Sequence, residues 1–514
     1  MAKKNHKIQN DAKEKKTALK SWSLGFKVLL VLVQLIVSIL LVVSIVNTGL
    51  IGELTLGIVI VLLAALFAIS CIWLLVRHKV TSATVQVICI VLSVVVIIGG
   101  LLAMNYTDAF NGFLAKVTEP RPEMKQYGVL VLDKSEIQGI DELQGKSVGF
   151  LKADPKAVNA ERKLAEAVEI DADYYEDMNT LIETLNGGIS EAIVLETDRI
   201  EMLREGSDGI KTIDEATRVV YYFEIELGDE QALLSNKEVT SEPFVVYISG
   251  SDSRNGVKAT ARSDVNIVAA VNPKEAKILL VSIPRDTYVQ LHGTTGIKDK
   301  LTHAGVYGID MSRMTIEDFL GINIDYTIKV SFDTVVKVVD QLDGIDIDSD
   351  LEMTLKTEDG QLCHYVLGRQ HVNGDCALRF ARERKSYETG DRHRGENQQQ
   401  VIASIIERLS KSKDYLLKIP SILDIAADSF ETTFTRDNIA KFIRMQLTNA
   451  RDWQVESIAV NGAGAMEPTY SMGANWPLYV MIPFEDTVDN ARQKINEYLL
   501  EPKSESENQN EVYN

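Results

Sequence analysis

Cysteine is scarce in these 514 residues, with only four in the chain. Cys71 and Cys89 lie inside apolar runs, where a thiol serves as a small hydrophobe. That leaves Cys363 and Cys376 in the polar part. They fit a disulfide if that part lies outside the cell, and two free thiols otherwise. Histidine is also sparse, and His303, His364, His371 and His393 are scattered without metal-ligand spacing, so none is given a role. Positive charge is short too. The net charge is −19, and residues 1–27 hold eight Lys against Asp11 and Glu14, so the rest is more acidic than the total shows. An acidic surface repels phosphate backbones, which argues against nucleic acid as a partner. Any phosphate chemistry must then sit in a local cationic pocket.

Long apolar runs are missing after residue 105 and dominate what precedes it. Val28–Val46 is interrupted only by Gln34 and two serines, and Leu54–Val76 and Thr84–Met104 contain no charge. Each is close to the ~20 residues that cross a hydrocarbon core, and three in succession do not read as a cleaved signal peptide. Lysines precede the first run, Asn47–Glu53 has no Lys or Arg, and Arg77, His78 and Lys79 join the second run to the third. The positive-inside rule puts residues 1–25 in the cytoplasm, three spans over 26–104, and everything beyond Met104 outside. A transcription factor is disfavoured on that topology.

Residues 105–125 read as a linker ending at Pro120 and Pro122. Strands and helices then alternate over 126–236: strands at Gly128–Leu132, around Ser147–Phe150 and at Ala192–Leu195, and helices at Ala157–Ala167 and Met178–Leu185. "LQGKSVGF", "YYEDMNTLIETLNGG" and "EAIVLE" resemble one lobe of a periplasmic solute-binding protein. Half a clamshell has no second lobe to close on a ligand, so a spacer or accessory interaction domain is the favoured reading. Lys237–Pro243 is a linker to a second domain, 243–500, and 501–514 is expected to be disordered. In that domain charges recur where strands end: Asp252 and Arg254 after Phe244–Ile248, Arg262 and Asp264 before Val265–Val271, and Arg285 and Asp286 after Ile278–Ile283. Ligands of α/β sheets collect at such ends. Arg379, Arg382, Arg384, Arg392 and Arg394 follow, interleaved with Gly, Asp and Gln. That pattern suits a pocket for phosphate better than a solvated face, because the guanidinium fork grips phosphate through two bonds.

"SGSDSR", "ARSD", "VSIPRDTYV", "KLTHAGVYG" and "FARER…GDRHRGENQQQ" occur in the order seen in LytR–CpsA–Psr proteins, and the resemblance spans about 243–430. With three spans and an accessory domain, the chain resembles the capsule-associated streptococcal branch. The resemblance implies an α/β/α catalytic domain with a mixed central sheet and a long apolar pocket for a polyprenyl chain. It implies transfer of a capsular or other anionic glycopolymer from undecaprenyl pyrophosphate to a peptidoglycan sugar hydroxyl, with Mg²⁺ or Mn²⁺. By motif, Asp252 and Asp264 would hold the metal, flanked by Arg254 and Arg262. Arg285, Arg382, Arg384, Arg394 and Gln398 would grip the two phosphates. Asn397 stands where the family usually has another Arg, which leaves the cationic ring incomplete. Asp252, Asp264 and Asp286 are equal candidates for the general base, and Lys300 fits a site residue and an exposed Lys equally well. Residues 435–447, 454–460 and 486–499 are expected to complete the second domain. Two other functions fit the motifs: a non-catalytic sensor of capsule assembly that contacts the polymerisation and export machinery, and a polyprenyl pyrophosphatase.

Overall fold

The computed structural model describes residues 2–76, 83–118, 124–152, 154, 156–205, 216–226, 235–251, 261–357, 360–387, 390–411, 430–449 and 451–500. The loop of Arg77, His78 and Lys79, the candidates Asp252 and Arg254, and the tail 501–514 lie outside the described residues. The chain divides into two units, Met1–Ala115 with Arg436–Asn449, and Lys116–Thr435 with Ala450–Asn514.

The first unit is helical: α1 (Ala2–Thr48), α2 (Glu53–Ser70, prolonged by a π-helical turn Cys71–Val76) and α3 (Ala83–Thr118). Leu24–Thr48, Glu53–Val76 and Thr84–Thr118 are long and apolar enough to cross a membrane. The helix through Thr118 corrects the expectation of a linker from residue 105, since nothing in "NYTDAFNGFLAKVT" breaks the last span before Pro120. Polar side chains among the spans pair with each other: Ser70 with Ser93 at 3.0 Å, and Ser44 with Thr107. Ser70 and Thr107 also reach carbonyls of their own helices, Leu66 O at 3.0 Å and Met104 O at 2.9 Å, so these hydroxyls need no water.

The second unit opens with a five-stranded sheet of order β3-β2-β4-β1-β5. Its strands are β1 (Met124–Leu132), β2 (Ser147–Leu151), β3 (Asp171–Tyr175), β4 (Ala192–Glu196) and β5 (Thr217–Glu226). Helix α4 (Ala157–Ala165) packs on one face. Helices α5 (Met178–Asn186) and α6 (Thr197–Glu205) cover the other, as the alternation of Val129 with Leu130 and of Val194 with Leu195 between two clusters requires. Asp177 starts α5 by accepting from Thr180 N at 3.0 Å.

The second sheet has the order β16-β11-β6-β7-β8-β17 and is mixed. Strands β6 (Phe244–Ser251) and β11 (Tyr326–Ser331) run parallel, β7 (Val265–Asn272) is antiparallel to β6 and to β8 (Lys277–Ser282), and β17 (Gln454–Ala459) runs parallel to β8. The short β16 (Phe430–Thr432) closes one edge. Every residue of β7 is buried, as a central strand covered on both faces must be. Leu279 and Val281 point to α7 (Ile309–Leu320) and α12 (Glu485–Leu499). The opposite face carries α8 (Phe332–Gln341), α9 (Gly374–Ala381) and α10 (Asp391–Lys411). Helix α11 (Arg436–Asn449), expected to complete this domain, groups with the first unit instead. Strand pairs β12 (Ile345–Ser349) with β15 (Gly368–Val372) and β13 (Met353–Lys356) with β14 (Leu362–Tyr365) flank α9. The two-residue strands β9 (Tyr288–Val289) and β10 (Asp299–Lys300) pair antiparallel, and a long hairpin joins β18 (Gly462–Thr469) to β19 (Gly473–Pro483). Cys363 and Cys376 form a disulfide that ties β14 to α9.

Candidate active site

One edge of the mixed sheet gathers the ends of β6, β8 and β11 and the start of β7, with Ser251 opposite Ser331 and Gly250 opposite Val265. Asp264 stands just before β7, and its N–H donates to Gly250 O at 2.9 Å. The buried Ser263 beneath it is held from several sides. Its hydroxyl lies 2.8 Å from Ser249 Oγ and 3.1 Å from the Tyr247 phenol, and it donates to Asn266 Oδ1 at 2.8 Å. Burial pushes the Tyr247 phenol up, so it stays a neutral donor to Asn266. Asp264 therefore rises from a rigid polar base.

From β8 the chain passes through Pro284 to Arg285, whose Nη1 donates to Asp264 Oδ1 at 2.8 Å and whose Nε lies 3.7 Å from Asp286 Oδ2. Lys300 Nζ lies 3.1 Å from Asp286 Oδ1. The result is a line of alternating charges, Asp264–Arg285–Asp286–Lys300, with side chains 7–19% exposed. Lys300 is thus buried and ion-paired, not an exposed Lys. The turn carrying it is threaded through the same place: Leu301 N donates to Thr287 O at 2.9 Å, Thr302 N to Arg285 O at 2.8 Å, and Ser263 N to Thr302 O at 3.2 Å. Gly305 makes this possible, since a Cβ there would fall 2.5 Å from Ala261 O.

The arginine-rich segment reaches the same edge from the other face. Arg382 ends α9 with its guanidinium 5.0 Å from the ring of Phe332, which follows the last residue of β11. Glu383 turns inward, pairs with Arg379 at 2.6 Å and accepts from Ser386 N at 2.8 Å. Burial opposes ionisation of Glu383, but the Ser386 N–H and the Arg379 charge hold it below the usual carboxylate range. Arg384, next to it, is exposed. Helix α10 is seated by Gln399, which donates to Leu280 O at 2.9 Å and Ile458 O at 2.7 Å, and by Gly395, where a Cβ would meet Ser282 Oγ at 2.8 Å. Arg394 and Gln398 thereby sit over the end of β8, which leads into Arg285.

The structure thus puts Asp264 and Arg285 in contact, with Arg262 two residues before Asp264; Arg382 ends α9 against Phe332, Arg394 and Gln398 lie on the helix seated against Ser282, and Arg384 is exposed. Asn397 has other work: its amide donates to Phe380 O at 3.1 Å and joins α10 to the end of α9. Arg392 is exposed and pairs with Glu396 at 3.3 Å. Among the described residues no group of three or more His, Cys, Asp or Glu could hold a metal ion. His303, given no role above, is fully buried with Nδ1 2.6 Å from Asp299 Oδ1. The four-residue spacing of Asp299 and His303, with Lys300 between them, is the sequence signal that could have found them.

The sequence model of the LytR_cpsA_psr family matches residues 216–478. A Bacillus mycoides protein named polyisoprenyl-teichoic acid–peptidoglycan teichoic acid transferase TagU is 34% identical over 249 residues, 48% of this chain and 78% of that protein. The Bacillus subtilis protein of the same activity name, TagV, is 29% identical over 268 residues, 51% of this chain and 66% of that protein. The crystal structure of B. subtilis TagV superposes with a TM-score of 0.43 at 29% identity, over 51% of this chain and 99% of the other.

Proposed function

We propose a function from this premise: the chain belongs to the LytR–CpsA–Psr family. It is a glycopolymer–peptidoglycan transferase, moving an anionic glycopolymer from a polyisoprenyl carrier to peptidoglycan, as its TagU and TagV relatives are named for doing. In finer terms, the donor is a polymer linked through undecaprenyl pyrophosphate and the acceptor is a peptidoglycan sugar hydroxyl. The polymer is capsular or another anionic glycan; the three spans and the accessory domain favour the capsular choice and a contact with the capsule assembly machinery. The single observation behind this reading is the buried line Asp264–Arg285–Asp286–Lys300, which follows the end of β8 against which the helix bearing Arg394 and Gln398 is seated.

The geometry suits the reaction. Arg285, Arg382 and Arg394 bind and orient the pyrophosphate, and fixed cations are most effective where water is excluded. The acceptor hydroxyl oxygen attacks the phosphorus next to the glycopolymer, the bridging P–O bond breaks, and polyprenyl monophosphate leaves. The hydroxyl proton passes to a site carboxylate. Little else is asked of the protein in phosphoryl transfer beyond positioning and charge. Asp264 supplies hard carboxylate oxygen, and Mg²⁺ accepts one or two carboxylates plus phosphate oxygens and water. Asp264, with Asp252 of the motif, would hold Mg²⁺ or Mn²⁺, which when bound offsets charge on the phosphates. The first 25 residues face the cytoplasm and the second unit faces the envelope. The lysine-rich start supports this orientation, and so does the Cys363–Cys376 disulfide, because such bonds persist in oxidising surroundings.

The test uses the full chain in detergent with a lipid-linked glycan, peptidoglycan oligomers and Mg²⁺. Covalent polymer on peptidoglycan together with released polyprenyl phosphate is the expected result. Release that proceeds equally without acceptor would mean a pyrophosphatase, and retention of intact donor would mean a sensor. Asp264→Ala should abolish transfer while the protein stays folded.

A further inference from the structure

The accessory domain reaches the catalytic loop through a buried polar relay. At the end of β4 and the start of α6, Glu196 and Arg199 are 1% and 5% exposed. Arg199 Nε donates to Glu196 Oε2 at 3.0 Å, and Lys125 of β1 pairs with the same carboxylate. Burial would raise Glu196, but the Arg199 and Lys125 charges hold it below the usual carboxylate range. The other arm of the guanidinium leaves the domain, with Arg199 Nη1 donating to Ser471 O at 2.9 Å, between β18 and β19. Ser471 N in turn donates to Asp299 Oδ2 at 2.8 Å, and its hydroxyl bonds the same oxygen. Asp299 is fully buried, and its other oxygen accepts from Lys300 N at 2.8 Å and meets His303 Nδ1.

Asp299 is therefore a hub. It fixes the turn whose next residues bond the backbone at Arg285, Thr287 and Ser263 and whose Lys300 pairs with Asp286. Arg199 lies outside the family match, which begins at residue 216. We propose that Arg199 and Asp299 are positioning residues for the transferase site, so that the accessory domain is part of the scaffold that sets the Arg285–Asp286–Lys300 geometry. A guanidinium is required because two of its nitrogens point to different partners, Glu196 inside the domain and Ser471 O outside it. A lysine keeps the charge beside Glu196 and loses the reach to Ser471.

This inference rests on the transferase reading, and two measurements separate the two. In the full chain in detergent, Arg199→Lys is expected to lower kcat of transfer about tenfold, as loss of an outer supporting contact does. KM for the lipid donor and the affinity for farnesyl pyrophosphate are expected to stay within about threefold, because Arg382 and Arg394 bind the pyrophosphate from outside the turn. Asp299→Asn, which keeps the shape and weakens all the contacts to the hub, should do the same or more. The second measurement needs no reaction: amide hydrogen exchange at residues 285–289 and 299–303 should speed up in both variants and not in Lys163→Met, a surface change in the same domain. Folded Arg199→Lys with wild-type kcat and wild-type exchange overturns the relay. Faster exchange with no transfer by the wild type would keep the relay and reject the transferase. If both variants lose kcat and farnesyl pyrophosphate affinity alike, the residues are only structural and the proposal fails.

Discussion

Arg285 is the residue on which most of the site turns, because it spans two carboxylates with different nitrogens, Nη1 to Asp264 and Nε toward Asp286. Lysine supplies the same charge through one compact ammonium and cannot span both. Arg285→Lys is expected to lower kcat/KM for transfer by a hundredfold or so, ~2–3 kcal/mol of transition-state stabilisation, and to weaken farnesyl pyrophosphate binding, while the melting temperature changes little. Steady-state kinetics beside a direct binding assay checks this, and wild-type values in both would show that the two-sided grip of the arginine is not used in transfer. The motifs made Asp264 and Arg285 legible as candidates because charged residues follow or precede strongly apolar strands. Lys300 was legible only as an open candidate and Asp299 not at all. Their burial comes from the approach of Gly305 to Ala261, a contact between distant parts of the chain that local pattern does not encode.

Elements of strong local pattern were readable and those made by distant pairing were not. The buried runs of β6, β7 and β8 and the caps of α5 follow from apolar periodicity and turn residues. β12 pairs with β15 across the eighteen residues 350–367, Ile345 opposite Val372, and a short half-exposed strand has little signature before its partner arrives. The β18–β19 hairpin is concealed by Pro468, Pro477 and Pro483, which sequence rules count against strands and which a two-stranded ladder tolerates. Glu383 is ionised below the usual range because Ser386 and Arg379 hold the carboxylate against burial. A depressed carboxylate adds stability above its unfolded value near 4.5, and that contribution is lost as pH falls through the lower folded value. Glu383→Gln should therefore be less stable than wild type at neutral pH, by about 1–3 kcal/mol. The gap should close as pH falls through that lower folded value. Thermal melts from pH 3 to 8 read it (about the range over which a carboxylate titrates), and a gap independent of pH would show that packing, not charge, sets the contribution.

At the scale of the second unit, the accessory domain and the catalytic domain share a core. Leu130, Leu181, Leu185, Ile200 and Leu203 of the first belong to one buried cluster with Val306, Met472 and Leu478 of the second, and Trp476 donates to Asn179 across the same junction. A lobe joined by a flexible tether would melt on its own. A lobe whose buried face is completed by its neighbour cannot lose that neighbour without exposing apolar surface. The two domains are therefore expected to unfold in a single transition. Leu478→Ala tests the coupling best, because Leu478 is 2% exposed and sits on the hairpin, far in sequence from the accessory domain whose stability it should affect. The loss should be about 2–5 kcal/mol, the range for a buried leucine cut to alanine. It should appear as faster amide exchange in α5 and α6 as well as around the hairpin. Two separate melting transitions in the wild type, or a Leu478→Ala effect confined to the hairpin, would mean that the domains are stable independently and that the shared cluster contributes nothing to either.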